Sequence, residues 1–474
     1  MVDVTHAEFS VTLEQSLTFA RLSGDYNPLH VDPVAARRLR FGGTVTHGIH
    51  LLLCAFEEIA ARGMLNGQQP VAVSATFDNP VPTASNVTLQ LDLMGARVRL
   101  SGQVDGRIAF KGTLEMQPTR GPTGYIPDSE FERADPQELG FPPAIPDGEA
   151  PLKLSRELLR RLFPALATMS DVAWIADLLA TTQVVGMQCP GMHSIYSGLK
   201  LRRMGVPSNR ATLQYRVEGT EKRFQLLRIQ VSGATLAGSM EAFLRPRPVA
   251  QRSTKEIATV VSRDAFAGDR VLVIGGSRGL GEVTAKIVSA GGGDVTITYA
   301  RGLEDAARVC EEAHALGLRC TAHQLDVFTE ARTAPLWLAP AQFSHVYFFA
   351  SPTITPNAGP WSDKLFRQFA QVYVTSFASV VEQVLAARAN QRERVRFLYP
   401  SSIFVVRPEA GFVEYAVAKA AGEALCDQLQ GRRGAHFAKP RLPRMRTDQT
   451  SALVDIGALD PLSVMLEVVR EFHS

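Results

Sequence analysis

The chain has 474 residues and a mass of 51.6 kDa, enough for two to four domains with separate cores. Apolar residues make up 45% and charged residues 20%, a globular balance that argues against extended disorder. Lys and Arg number 50 against 47 Asp and Glu, and a net charge of +3 without any basic run makes no electrostatic case for a nucleic-acid partner. The five cysteines, Cys54, Cys189, Cys310, Cys320 and Cys426, are widely spaced with no C-x-x-C. That pattern points away from a disulfide framework or a zinc site and toward a reducing compartment. The start at Met1 shows no basic segment followed by an apolar run, and no apolar stretch reads as a membrane span. A soluble, cytoplasmic, multidomain protein is expected.

Region one, about 1–120, opens with helical periodicity over Leu13–Leu22 and continues, after a loop, with an apolar helix over Gly48–Ala61. Alternating segments follow at Val71–Phe77, Val87–Leu93, Val98–Val104 and Ile108–Met116. Helix and then antiparallel strands is an α+β order. Residues 121–150 are rich in Pro and Gly and read as a surface connector. Region two, 151–247, repeats the order: a helix over Asp171–Thr182, then strand-like Ser194–Leu201, Ala211–Val217, Gln225–Val231 and Ser239–Leu244. Beyond the Arg245-Pro246-Arg247-Pro248 break, region three, 263–474, alternates strand and helix from Val271 to the C-terminus, which predicts a doubly wound parallel sheet.

The first chemical constellation sits where the first helix ends. Ser23-Gly24-Asp25-Tyr26-Asn27-Pro28-Leu29-His30 puts an acid, an amide and an imidazole within six residues of a loop that Gly24 and Pro28 break. A carboxylate and an imidazole side by side can share one water, one taking its proton while the other protonates carbon or a leaving oxygen. Thr46-His47-Gly48 then opens the apolar helix, whose free N–H groups can hold an oxyanion. An isolated D-x-N-P is an ordinary turn; the His47-Gly48 helix start is what raises the chemical reading above it.

This segment resembles the MaoC-like (R)-specific enoyl-CoA hydratases, whose pattern A-x-x-S-G-D-x-N-P-x-H-x-D, F-G and H-G is read here at Ala20, Ser23–Asp25, Asn27-Pro28, His30, Asp32, Phe41-Gly42 and His47-Gly48. The resemblance implies a hot-dog fold, Asp25 and His30 as the water-activating dyad, Asn27 bracing the loop, and the Gly48 amide binding a thioester enolate. Region two lacks D-x-N-P-x-H, and its His193 reads as structural. The layout resembles double hot-dog hydratases, with region two a non-catalytic partner shaping an acyl tunnel.

The second constellation begins where Val271–Ile274 runs into Gly275-Gly276-Ser277-Arg278-Gly279-Leu280-Gly281. Strand, Gly-rich turn and helix form a dinucleotide-binding context. Tyr415 and Lys419 lie one helical turn apart, and Ser402 precedes Tyr415 by thirteen residues. A neighbouring ammonium is expected to lower the tyrosine pKa. The set resembles the short-chain dehydrogenase/reductases, hence a Rossmann domain. That likeness implies Tyr415 as proton donor, Ser402 as hydrogen-bond partner of the carbonyl oxygen and Lys419 on the nicotinamide ribose. Gly275, Ser277, Arg278, Gly279, Leu280 and Gly281 would hold the pyrophosphate, and Asp326 the adenine side. No acid ends the second strand, Val295–Tyr299, whereas Arg278 and Arg301 lie near, so NADPH is favoured over NADH. Three positions depart from the family: Ala350-Ser351-Pro352 stands for N-A-G, Tyr373 lies nearest in register to the helix asparagine, and Lys439-Pro440-Arg441 stands for P-G. The segment Arg441–Thr450 looks trimmed, and Arg441, Arg444 and Arg446 read equally as a solvated loop or as a contact for CoA or carrier phosphates.

The expectation is an α+β double hot dog followed by an α/β Rossmann domain, acting on acyl-CoA or acyl carrier protein thioesters. A 3-oxoacyl reductase and an (R)-3-hydroxyacyl dehydratase would share one chain, with oligomerisation through the reductase part. Three rivals stay open: a degradative hydratase–dehydrogenase, a hydratase with a scaffold reductase, and a non-catalytic thioester or NADPH sensor.

Overall fold

A computed structural model describes residues 3–39, 41–119, 126–143, 147–205, 210–329, 343–357, 359–388, 394–450 and 457–474. The chain divides into two compact units with the boundary between Arg247 and Pro248.

Unit one is built on a ten-stranded antiparallel sheet. Its strands are β1 (Asp3–Ser10), β2 (Gln68–Phe77), β3 (Asn86–Met94), β4 (Arg97–Val104), β5 (Arg107–Pro118), β6 (Asp147–Pro151), β7 (Ser194–Arg203), β8 (Thr212–Glu221), β9 (Leu226–Ser232) and β10 (Leu236–Leu244). The spatial order is β1-β3-β4-β5-β2-β7-β10-β9-β8-β6. Each half repeats one topology, an edge strand, a helix and four strands, so β1 matches β6 and β2 matches β7. The halves join where β2 pairs with β7, from Ala72 opposite Arg202 to Thr76 opposite Gly198. A side chain at Gly198 would come 2.8 Å from the Ala75 carbonyl oxygen, so glycine permits the close approach at this join. Period-two alternation sends Val87, Leu89 and Leu91 of β3, and Val98 and Leu100 of β4, into the core. They pack with Ile49, Leu52, Leu53 and Phe56 of the helix Gly48–Ala61.

The corresponding helix of the second half, Ala173–Gln183, is buried on nearly every side, as befits the centre of a large core. Its Asp177 is fully buried and accepts four hydrogen bonds: from the amides of Ala234 (2.8 Å), Thr235 (2.8 Å) and Leu236 (2.9 Å), and from Thr235 Oγ1 (2.7 Å). One carboxylate thus ties the turn between β9 and β10 to the helix. Two edge strands, β1 and β6, were not expected from the pattern. Composition placed β6 inside the 121–150 connector, yet it pairs with β8, and Ile126 and Phe131 of the same stretch are buried. Proline-rich composition marked irregular backbone there; it did not reveal the apolar anchors that bind it to the core.

Unit two holds a six-stranded parallel sheet: β11 (Arg270–Ile274), β12 (Asp294–Tyr299), β13 (Cys320–Gln324), β14 (His345–Phe348), β15 (Val395–Leu398) and β17 (Ala435–Ala438), in the order β13-β12-β11-β14-β15-β17. A two-residue pair, β16 (Ser401–Ser402) with β18 (Arg441–Leu442), lies beyond it. Val271 and Val273 of β11 join one apolar cluster with the helices Gly279–Ala290 and Pro461–His473; Leu272 and Ile274 join another with Val372, Phe377 and Val381. A strand apolar on both faces is the mark of a sheet covered by helices on both sides. The helical segment Asp363–Ala387 is by length and composition apolar enough to cross a membrane, but half of its most apolar 18-residue stretch is buried and it packs on this sheet as a core element.

Asp177→Ala would leave three amides and a hydroxyl without their partner in a dry core. It is expected to lower the stability of unit one by about 3 kcal/mol. Denaturant unfolding of the full chain, followed by circular dichroism in wild type and variant, measures the loss.

Candidate active sites

The loop after the first helix is shaped by its own residues. Thr12 and Gln15 form a capping box at the helix start, and Gly24 ends the helix at φ +76, a left-handed position that costs glycine nothing. The Asn27 side chain then caps the short helix Pro28–Val31 by accepting from the Leu29 amide at 3.1 Å. Asp25, Asn27 and His47 are buried, and His30 is half-buried. One ligand-type atom each from Asp25, His30 and His47 lies within 4.8 Å of the others, so the loop and the helix start predicted to meet do meet.

Hydrogen bonds assign the tautomers. His30 Nδ1 lies 2.7 Å from the Val45 carbonyl oxygen, which only accepts, so Nδ1 carries the proton and Nε2 has a free lone pair in the neutral ring. His47 Nε2 donates in the same way to the Asp25 carbonyl oxygen at 3.0 Å, and the two imidazoles stack at 3.9 Å. Burial raises the Asp25 pKa, an effect opposed by the His30 charge, the Thr182 hydroxyl and the Asn27 amide. Burial lowers the His30 pKa, opposed by Asp25. Both shifts favour the neutral acid beside the neutral imidazole, a pair holding one proton that either member can carry. No side chain caps the helix start at His47, which leaves the amide end open. The Phe77 ring lies against Gly48, 3.0 Å from where a Cβ would stand.

Sequence reasoning missed what the second half contributes here. Thr182 Oγ1 donates to Asp25 Oδ2 at 2.7 Å. The Asn27 side-chain amide donates to the carbonyls of Gly186 (2.9 Å), Gly191 (3.2 Å) and Met192 (3.2 Å). A Cβ at Gly186 would fall 2.1 Å from Asp25 Oδ1. Sequence carried no signal for these contacts, which span more than 150 residues. His193 pairs with Glu138 at 2.9 Å, in line with a structural reading.

In unit two the Gly-rich turn follows β11. The Gly275 amide donates to Thr298 Oγ1 (3.1 Å) and the Gly276 amide to the Thr298 carbonyl oxygen (3.0 Å), which holds the turn against the end of β12. Gly275 has φ +76, and a Cβ at Gly281 would stand 2.2 Å from the Gly275 carbonyl oxygen. The helix Gly279–Ala290 starts there without a side-chain cap, so its amide end is a cradle suited to a pyrophosphate. Ser277 and Leu280 belong to the same turn and first helical turn. Arg278 Nη1 lies 3.7 Å from Asp448 Oδ2, and Arg301 is exposed two residues past β12. Asp326 closes a turn after β13 by accepting from the Phe328 amide at 3.0 Å.

Ser402, Tyr415 and Lys419 come together, with one difference from expectation. Tyr415 hydrogen-bonds Ser402, yet burial pushes its pKa up to about 12, where a neighbouring ammonium was expected to lower it. The ammonium is engaged elsewhere. Lys419 Nζ donates to the Pro400 carbonyl oxygen at 2.7 Å and lies 3.8 Å from the Tyr373 ring centroid, against 5.9 Å from that of Tyr415. Full burial lowers its pKa to about 7. Tyr373 and Ser351, two of the departures, form one hydrogen bond of 2.6 Å. The arginines beyond β17 are paired: Arg441 with Glu423, Arg444 with Glu409 (2.6 Å each) and Arg446 with Asp460 (3.9 Å). Each positive charge has a local carboxylate, which favours the solvated-loop reading.

Residues 3–110 match the family described as MaoC like domain, and residues 269–436 match the family described as short chain dehydrogenase. A protein of Ajellomyces capsulatus named "Probable dehydratase NIT22" is 31% identical over 91 residues, a match spanning 19% of this chain and 24% of that one. Among solved structures, a short chain dehydrogenase from Burkholderia cenocepacia J2315 in complex with NADP is 24% identical, with TM-score 0.37, covering 43% of this chain and 90% of that chain. A 3-oxoacyl (acyl-carrier-protein) reductase from Agrobacterium tumefaciens C58 with NADP bound is 19% identical, with TM-score 0.39, covering 45% and 90%.

The Lys419 pKa has a consequence for stability. The folded chain releases this proton near 7, while the unfolded chain holds it to 10.5, so between the two the unfolded state binds more protons and stability rises with pH. Wild type is expected to gain stability over Lys419→Met as pH climbs from 7 to 9, by up to about 1.4 kcal/mol per pH unit. Denaturant unfolding of both proteins across that range checks the slope.

Proposed function

The chain joins a MaoC like domain to a short chain dehydrogenase domain, and we propose that it is a bifunctional acyl-thioester enzyme. Unit two reduces 3-oxoacyl thioesters with NADPH, and unit one dehydrates the (R)-3-hydroxyacyl product to the trans-2-enoyl thioester, on CoA or an acyl carrier protein. The reading places it in cytoplasmic biosynthesis, as a homo-oligomer paired through the reductase helices, where Val413 and Val417 are exposed. The observation that carries it is the convergence of Asp25 and His30 beside the open helix start at Gly48.

In dehydration, His30 Nε2 takes the C2 proton while the Asp25 carboxyl protonates the departing C3 hydroxyl, which leaves as water. The Gly48 amide stabilises the negative charge that develops on the thioester oxygen as the C2 proton leaves. Hydration runs the same steps backward: ionised Asp25 takes a proton from water and protonated His30 returns one to C2. His47 keeps the loop docked by donating to the Asp25 carbonyl oxygen. The burial that raises Asp25 and lowers His30 matches the protonation states that dehydration starts from.

The residues of unit two fit a nicotinamide dinucleotide: the turn at Gly275, Ser277, Arg278, Gly279, Leu280 and Gly281 runs into an uncapped helix start, and Gly281 lets that helix pack directly on the turn. When bound, NADPH supplies hydride to the carbonyl carbon. Arg278 and Arg301 suit a 2′-phosphate, and Asp326 the adenine side. Lys419 has ammonium donors left for ribose hydroxyls besides the one on Pro400. Tyr415 gives its hydroxyl proton to the substrate oxygen, which Ser402 also holds. A second reading, a hydratase with a scaffold reductase, is favoured by one observation: Tyr415 is raised to about 12 with the Lys419 ammonium turned toward Tyr373.

Purified protein given NADPH and a 3-oxoacyl thioester is expected to consume NADPH and form enoyl thioester. Asp25→Asn should stop at the 3-hydroxyacyl product, with dehydration at least about 100-fold slower. Tyr415→Phe should slow NADPH loss by a similar factor and leave enoyl hydration intact. NADPH untouched on both CoA and carrier substrates, with hydration persisting, establishes the scaffold reading instead.

A further inference from the structure

Thr181 and Thr182 lie side by side in the helix Ala173–Gln183 and use their hydroxyls differently. Thr181 Oγ1 donates to the Leu178 carbonyl oxygen of its own helix at 2.6 Å, the usual behaviour of a helical threonine. Thr182 Oγ1 donates outward to Asp25 Oδ2 at 2.7 Å, across 157 residues of chain. Whenever Asp25 is ionised it only accepts, and the Thr182 hydroxyl is then the donor. Asp25 Oδ1 receives the Asn27 amide at 3.2 Å. Past Thr182 the helix widens into a π-turn over Val184–Gln188, a local feature that often marks functional sites. The turn brings Gly186 so close to the carboxylate that no other residue fits.

We propose that Thr182 is a positioning residue for Asp25, and that the second half, without a dyad of its own, completes the hydratase centre. The proposal rests on the hydratase reading above. The hydroxyl fixes which way the carboxylate faces and stabilises its ionised form in a dry site. Removing it penalises every state in which Asp25 is ionised, so protons leave the dyad at higher pH.

The test is hydration of crotonyl-CoA by the full chain. Thr182→Val, which keeps the shape and loses the hydroxyl, is expected to lower kcat about 10- to 100-fold with KM changed less than about twofold. Its pH–rate profile should move to higher pH by about one unit, as a tenfold loss of carboxylate stabilisation requires. Thr182→Ser should restore both. Wild-type kcat and pH profile in Thr182→Val overturn the proposal, as does a loss that Thr182→Ser shares with no movement of the profile, which marks a packing role. If Thr182→Val does not fold, Thr182→Ala is judged by the same criteria. A folded wild type that Asp25→Asn does not impair overturns the functional reading itself, whereas an active, Asp25-dependent wild type indifferent to Thr182 overturns this inference alone.

Discussion

A carboxylate at Asp25 cannot be buried without donors, and the organisation of unit one follows from that requirement. Taking an ionised carboxyl out of water costs several kcal/mol unless hydrogen bonds replace the lost hydration. The loop supplies one donor, the Asn27 amide; the other comes from Thr182 in the other half of the unit. The same loop spends the Asn27 side chain on three carbonyls of the second half. A chain that folded only its first half would leave Asp25 and Asn27 half satisfied. The join of β2 to β7 is therefore a condition for the site as well as for the core.

The second half keeps the topology of the first while its central helix serves different ends. Its Asp177, where the first half has an apolar core helix, collects four donors and acts as a fastener. Asp177 and Asp25, both buried in unit one, differ in their surroundings. Burial raises the proton affinity of both; Asp177 collects four donors and has no imidazole in its hydrogen-bond set, whereas Asp25 sits beside His30. An acid with fewer donors and an imidazole neighbour is freer to exchange its proton than one held by four hydrogen bonds.

Unit two poses the same problem with the opposite charge. Lys419 is buried, and its ammonium takes a carbonyl oxygen and an aromatic face in place of water. Tyr373 supplies that face, and its hydroxyl is in turn hydrogen-bonded to Ser351. Ser351 and Tyr373 thus form one hydrogen-bonded pair next to the lysine. Read singly along the chain, they looked like two separate losses.

Local rules carried much of this protein. Turn-breaking Gly24 and Pro28, the helix start at Gly48, the strand–glycine–helix passage after Ile274 and the one-turn spacing of Tyr415 and Lys419 are short-range patterns, and sequence by itself determined both fold types and that Asp25 and His30 lie close together. Edge strands β1 and β6 escaped because one is short of alternation and the other lies in proline-rich chain, and both are made strands by the partner they pair with. Only tertiary structure decided that Thr182 and Gly186 frame Asp25, that the Lys419 ammonium turns to Tyr373, and that Tyr415 is raised by burial. The reason is physical: desolvation and hydrogen-bond satisfaction depend on every atom around a group, and those atoms come from segments whose separation along the chain carries no record of their meeting.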